Sequence, residues 1–148
     1  MNPWNVADEF KDLELNELYE EQAKRTLPFA VCALNLTGDL NIGMMIRSAV
    51  LTGAERFFVF GRRCYDRRST VGAHHYIDVV RVNGIDEEGK YDETKFHQML
   101  KLYDYTPTCV EQGGTPLRDH KPHEKFCYVF GNEGTGIPES LMTSGQKI

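Results

Sequence analysis

The stretch Phe126-Cys-Tyr-Val-Phe-Gly-Asn-Glu-Gly-Thr-Gly-Ile-Pro138 decides how the rest of the sequence is read. Its apolar run reads as a strand, and it leads directly into a loop with three glycines around one carboxylate, Glu133. The glycines of Gly131-Asn-Glu-Gly-Thr-Gly136 fall in Gly-x-x-Gly-x-Gly order, which is neither the dinucleotide fingerprint nor a phosphate-binding loop with its Lys-Ser/Thr. Two readings fit that spacing. One is a plain turn before a short helix, Pro138 to Met142; the other is a loop whose backbone can approach a flat ligand, with Glu133 as its one ionisable group.

Earlier in the chain the same pattern recurs. Phe29-Ala-Val-Cys-Ala-Leu34 reads as a buried strand ending in a Thr-Gly-Asp turn. A helix follows, with Asn41 as its cap, a stripe of Ile42, Met45, Ile46, Ala49 and Val50, and Gly53 closing it. Arg56 to Phe60 is a second strand, so the first sixty residues read as β-α-β. Ile77 to Val82 and Thr108 to Val110 are further strands, and Tyr91 to Asp104 is a helix with Phe96, Met99, Leu100 and Tyr103 on one side. Gln146-Lys-Ile148 looks like the entrance to one more strand. The alternation predicts an α/β fold, a mostly parallel sheet flanked by helices. Residues 1–28 stand apart as an N-terminal extension. Within it, 7 to 24 reads as an amphipathic helix with Phe10, Leu13, Leu18 and Tyr19 near one face and acidic residues on the other. Residues 29–148 form one domain.

Composition narrows the function classes. No run of eighteen apolar residues and no signal-peptide pattern is present, which predicts a soluble, cytoplasmic protein. Cys32, Cys64, Cys109 and Cys127 are scattered without a Cys-x-x-Cys pair, and are read as buried free thiols of a reducing compartment. A net charge of −5 argues against coating nucleic acid by bulk electrostatics, so the placement of the cations matters.

Four arginines, Arg62, Arg63, Arg67 and Arg68, surround Tyr65 in one segment, where phosphates would bind by charge and a base could stack on the ring; a solvated basic loop is the competing reading. The span from Gly61 to Tyr76 is long for a loop, which marks it as functional or mobile. Gly43 and Arg47 share a helix face off the apolar stripe. Open space over the glycine would let the guanidinium fork clamp a phosphate, unless it is merely solvated. His74 and His75 adjoin, but neighbours in a strand point to opposite faces, and His120 and His123 lie in a polar loop, so no metal site is predicted.

Together these residues resemble a known family. Asn41-Ile-Gly43 followed by Arg47 is similar to the first motif of the SpoU/TrmH-type RNA ribose methyltransferases of the SPOUT superfamily, and Phe130-Gly-Asn-Glu-Gly-Thr-Gly-Ile-Pro138 resembles their second. Val-Gly-Ala73 before a strand and Gly114-Thr-Pro116 after Val110 extend the similarity from about Phe29 to Ile148. The resemblance implies an α/β fold with a C-terminal trefoil knot, S-adenosylmethionine held there, a homodimer with sites near its interface, and methyl transfer to a ribose 2′-hydroxyl of tRNA or rRNA. It implies Asn41, Arg47 and Glu133 as the catalytic group, with Val110, Gly131 and Gly134 lining the cofactor pocket. The family's third motif would begin just after Ile148, so the knot-forming segment is expected to be missing.

The implied chemistry suits those residue types. A ribose hydroxyl must lose its proton as the methyl group arrives, and an arginine can stabilise the developing alkoxide and hold the adjacent phosphate. Two rivals stand beside this reading: a catalytically inactive RNA-binding or regulatory relative that has lost cofactor binding, and an unrelated nucleotide-binding α/β protein. The second lacks either nucleotide fingerprint.

Overall fold

Residues Leu27–Leu34 form the central strand, β1, and its side chains alternate between two separate cores, which explains an unbroken apolar run. Ala30, Cys32 and Leu34 face one core; Phe29, Val31 and Ala33 face the other. The computed structural model describes residues 7–34, 38–62, 64–142 and 145–148. Among them, β2 (Ala54–Phe60), β3 (Asp78–Val82), β4 (Thr106–Val110), β5 (Phe126–Phe130) and β6 (Gln146–Lys147) complete one sheet in the order β3-β2-β1-β5-β4-β6. Every pairing is parallel. The last residues do enter a strand: β6 pairs Gln146 with Thr108 and Lys147 with Cys109, at the edge beyond β4.

Helices cover both faces, as a parallel sheet requires. Helix α2 (Asp39–Leu51) buries Ile42, Ile46 and Ala49 against Val31, Ala33, Phe57 and Val59. On the opposite face α3 (Glu93–Leu102) buries Phe96, Met99 and Leu100 beside Phe58 and Phe60, and Leu141 of α4 (Glu139–Met142) joins that core. Asp92 caps α3 by accepting from the Lys95 N–H at 3.0 Å. None of the described helices is long and apolar enough to cross a membrane.

The expected helix over 7–24 is two pieces. A 3-10 turn at Asp8–Phe10 precedes α1 (Leu15–Ala23), which restarts at Glu14 with a reciprocal capping box to Glu17. Phe10 and Leu18 are buried, with Leu13, Leu15 and Tyr76 packed on them, whereas Tyr19 stays outside that cluster and is 38% exposed. Three of the four thiols are buried as expected. Cys64 is exposed, because it lies in the segment after β2 rather than in a strand.

That segment is more ordered than a loop. Arg67–Thr70 and Ala73–His75 are short 3-10 helices, packed against α2. The expected open space over Gly43 is filled by Ser69: a Cβ added to Gly43 would lie 1.7 Å from Ser69 Oγ and 2.7 Å from its Cβ. Glycine at mid-helix costs about 1 kcal/mol relative to alanine, but overpacking here costs about 1–3 kcal/mol and prevails. Gly43→Ala is therefore expected to lower stability by up to about 2 kcal/mol in urea denaturation, and Ser69→Gly in the same chain to recover most of the loss; a Gly43→Ala protein more stable than the parent would refute the contact.

Candidate active site

Open parallel sheets bind ligands outside the carboxyl ends of their strands, where the strand order reverses. The reversal falls between β1 and β5, with β2 and β3 to one side and β4 and β6 to the other. Over that point Asn41 Nδ2 donates to Glu133 Oε1 at 2.7 Å, joining residues 92 apart in sequence. Asn41 is not the helix cap. Gly38 takes that position and accepts from the Asn41 backbone N–H at 3.1 Å, which leaves the asparagine side chain free to reach across the sheet end.

The loop carrying Glu133 is closed on itself. Gly136 N–H donates to the Asn132 carbonyl at 2.8 Å, and Gly134 N–H to Asn132 Oδ1 at 2.9 Å. A Cβ on Gly131 would lie 2.3 Å from the Gly136 carbonyl carbon, so the close approach that demands glycine is made by the loop's own backbone. Gly134 is less constrained, its nearest contact being Asn132 Oδ1 at 3.4 Å. Glu111, which the sequence pattern gave no reason to single out, ties this loop to β4. Its carboxylate accepts from Gln112 N–H at 2.9 Å and from Ile137 N–H at 3.0 Å, and both bonds hold its pKa below the usual glutamate value.

Between the two loops lies a cleft of about 600 Å³, lined by Val110, Glu111, Gly131, Glu133, Gly134 and Lys147. The predicted pocket residues Val110, Gly131 and Gly134 thus meet Glu133 in one cleft. A second, apolar groove of about 510 Å³ crosses β1 and β5 over Phe29, Val31, Tyr128 and Phe130, with Asn41 and Glu133 also in its wall. Arg47 is elsewhere. It borders a third cleft, of about 410 Å³, with Thr70, Val71 and Tyr76, and makes no ion pair with a described residue. Val71 there is exposed and left-handed at φ 50°, a strained conformation for a β-branched residue.

The arginine segment is only partly as expected. Arg62, Arg67 and Arg68 are exposed, and Arg63 lies outside the described residues. Arg68 is committed to Asp66 through an ion pair at 2.8 Å, and Asp66 also caps the 3-10 turn by accepting from Arg68 N–H. Tyr65 is half-buried in the core under α2, with its ring 6.3 Å from that of His74, so it is a supporting residue more than an open stacking platform. His74 and His75 lie in a 3-10 turn after the left-handed Gly72, not in a strand, and their rings are 4.0 Å apart. Thr70 donates its hydroxyl to the Arg67 carbonyl at 2.7 Å, and its Oγ1 lies 2.5 Å from His74 Nδ1. Among the described residues no group of three or more metal-binding side chains occurs.

The fold is a parallel α/β sheet of the doubly wound kind, with glycine-rich and helix-borne polar groups gathered at its switch point, where sheets of this class bind their ligands. Residues 28–148 match the SpoU rRNA Methylase family, and the chain belongs to it. No curated protein sequence matches the chain. Among solved structures, the SpoU methyltransferase AviRb from Streptomyces viridochromogenes aligns with a TM-score of 0.68 at 21% identity, covering 81% of this chain and 48% of that one. AviRb is also known in complex with the cofactor AdoMet. The A. aeolicus TrmH/SpoU tRNA modifying enzyme aligns at 0.67 and 19% identity, covering 90% and 68%. An RNA 2′-O ribose methyltransferase aligns at 0.64 and 18% identity, covering 83% and 45%. The likeness to these structures is one of fold, and the chain spans about half the length of AviRb.

Desolvation, then His75 and Arg67, push His74 from an ordinary 6.5 down to about 4. A depressed folded pKa means that the unfolded chain binds the proton first, so this contribution to stability is complete above 6.5 and is lost as pH falls toward 4. Thermal unfolding followed across that window is expected to show a steeper loss for the parent than for His74→Gln; parallel curves would contradict the assignment.

Proposed function

We propose that this site transfers a methyl group from S-adenosylmethionine to a ribose 2′-hydroxyl of tRNA or rRNA. The observation that carries the reading is the Asn41–Glu133 hydrogen bond at the lip of the 600 Å³ cleft, in a chain of the SpoU family. The cleft suits the cofactor in size and charge. Its volume is in the range of small-molecule sites, and two carboxylates, Glu111 and Glu133, outnumber the one ammonium of Lys147, which favours a ligand bearing a sulfonium and an amino group. Val110, Gly131 and Gly134 would supply the wall against the adenosine part.

When bound, S-adenosylmethionine supplies an electrophilic methyl group. The remaining tasks belong to the chain. Asn41 fixes the direction of the Glu133 carboxylate, which would orient the ribose hydroxyl or accept its proton. Arg47 offers a guanidinium fork for the neighbouring phosphate and for charge developing on the oxygen. The three arginines Arg62, Arg67 and Arg68, with Arg63, would hold the RNA backbone farther out. The buried free thiols suit the reducing cytoplasm.

Arg47 and Glu133 line different clefts, and this supports the action of two copies together. On the outer face of α2, Leu40, Met44 and Leu51 are 62%, 59% and 85% exposed, at helical spacing around Arg47. A homodimer covering that stripe would place the Arg47 of one copy against its partner. Sedimentation is expected to show a dimer that Met44→Glu with Leu51→Glu converts to monomer; a parent chain that is monomeric at all concentrations would remove this part of the proposal.

The activity is tested by titrating the chain calorimetrically with S-adenosylmethionine, then by following methyl transfer to unmodified tRNA and rRNA. Methylated positions should resist alkaline cleavage, because the 2′-oxygen is blocked. Arg47→Ala and Glu133→Gln are expected to slow transfer by roughly 10²–10³-fold with cofactor affinity nearly unchanged for Arg47→Ala. A folded chain that does not bind the cofactor would favour an RNA-binding protein without catalysis.

A further inference from the structure

The last glycine of the loop after β5 is crowded by a side chain from outside that loop. Gly136 is left-handed at φ 67°, and a Cβ there would lie 2.5 Å from Glu111 Oε2. The residue after β4 therefore presses its carboxylate into space that only glycine leaves open. Gly131 and Gly134, by contrast, have their nearest neighbours within the loop itself.

Glu111 divides its two oxygens between the two walls of the 600 Å³ cleft. Oε1 accepts from the Gln112 N–H on the β4 side at 2.9 Å, and Oε2 accepts from the Ile137 N–H, 26 residues away on the β5 side, at 3.0 Å. Both ends of this link are fixed. Ile137 is buried in the core with Val129 and Leu141, and the backbone of Glu111 is held by its own N–H, which donates to the Ile148 carbonyl at 3.0 Å. A buried N–H deprived of its acceptor is costly, so without the carboxylate the loop has reason to rearrange.

We propose that Glu111 is a positioning residue of the reaction: its carboxylate clasps the Glu133 loop to the end of β4 and holds the cleft in its cofactor-accepting form before any ligand arrives. The inference rests on the S-adenosylmethionine reading given above. A site whose competent form is only partly populated loses affinity by that fraction, so a clasp that keeps the form populated acts on binding. Glu133 itself has a second tether, the bond from Asn41, which the clasp does not share. Loss of the clasp is therefore felt in cofactor affinity, and much less in the transfer step at saturation.

Two substitutions separate the clasp from the charge. Glu111→Gln keeps the length, removes the charge and turns one terminal atom into a donor facing an N–H; Glu111→Asp keeps the charge and is one methylene shorter in its reach toward Ile137. Each is compared with the parent by hydrogen exchange at the Ile137 amide, by calorimetric titration with S-adenosylhomocysteine, and by methyl-transfer kinetics on the RNA that the parent modifies. Exchange at Val31 in β1 reports that the fold is intact and should not change. In both variants the free protein should exchange Ile137 about tenfold faster, the dissociation constant should rise about tenfold, and kcat at saturating cofactor should fall by no more than about threefold. Saturating ligand should restore protection at Ile137. Affinity lost with Ile137 still protected would mean that the carboxylate acts on the ligand directly, and protection lost with affinity unchanged would make it a structural anchor; either result overturns the clasp while leaving the cofactor reading in place. A folded parent that does not bind S-adenosylhomocysteine removes the cofactor reading and this inference with it.

Discussion

Strand β1 is paired on both edges and buried on both faces, and the position of every other element follows from that constraint. Its two rows of side chains need two separate covers, so α2 takes one face and α3 with α4 the other. Its neighbours β2 and β5 come from different halves of the chain, so the strand order reverses beside it. The gap at its carboxyl end is thus the place where groups from distant sequence can meet. The Asn41–Glu133 bond occupies that gap, and the catalytic proposal depends on it.

Much of the architecture was legible because buried parallel strands and amphipathic helices leave strong periodic signals. The runs at 29–34, 56–60 and 126–130 are strands, and the stripe Ile42, Ile46 and Ala49 is the buried face of α2. What was not legible depended on contacts between remote residues. Nothing near Gly43 announces that Ser69 will fill the space in front of it, and nothing near Glu111 announces that Ile137 will donate to it. Tyr65 looked available among arginines because a sequence shows charge but not the core beneath it. The site residues were named through motifs, and their division between separate clefts is a property of the helix: six residues along α2 turn Arg47 away from Asn41.

The glycines of the loop after β5 change the meaning of a glycine-rich pattern. Gly131 is required by the backbone of Gly136, whereas Gly134 has room for a side chain. A glycine-rich loop beside a ligand cleft therefore need not owe its glycines to the ligand. Here the carboxylate of Glu111 holds the closed loop in place from the neighbouring strand, and the cleft inherits its shape from that internal closure.

The strand order also governs the sequence of folding events. Strands β1, β2 and β3 follow one another in the chain and can pair as soon as its first half is available, because closing the loops between consecutive strands costs less conformational entropy than joining remote ones. Strand β5 pairs with β1 across almost the whole intervening chain, and it must seat between β1 and β4. Such non-local pairing is slow, so the Glu133 loop, which hangs from β5, is among the last parts to be ordered. Until then the inner edge of β1 is an unpaired strand edge, and a growing polypeptide would present it as a template for misassociation. In this molecule the half that folds early supplies Asn41 and Arg47, and the late half completes the arrangement by delivering a single carboxylate.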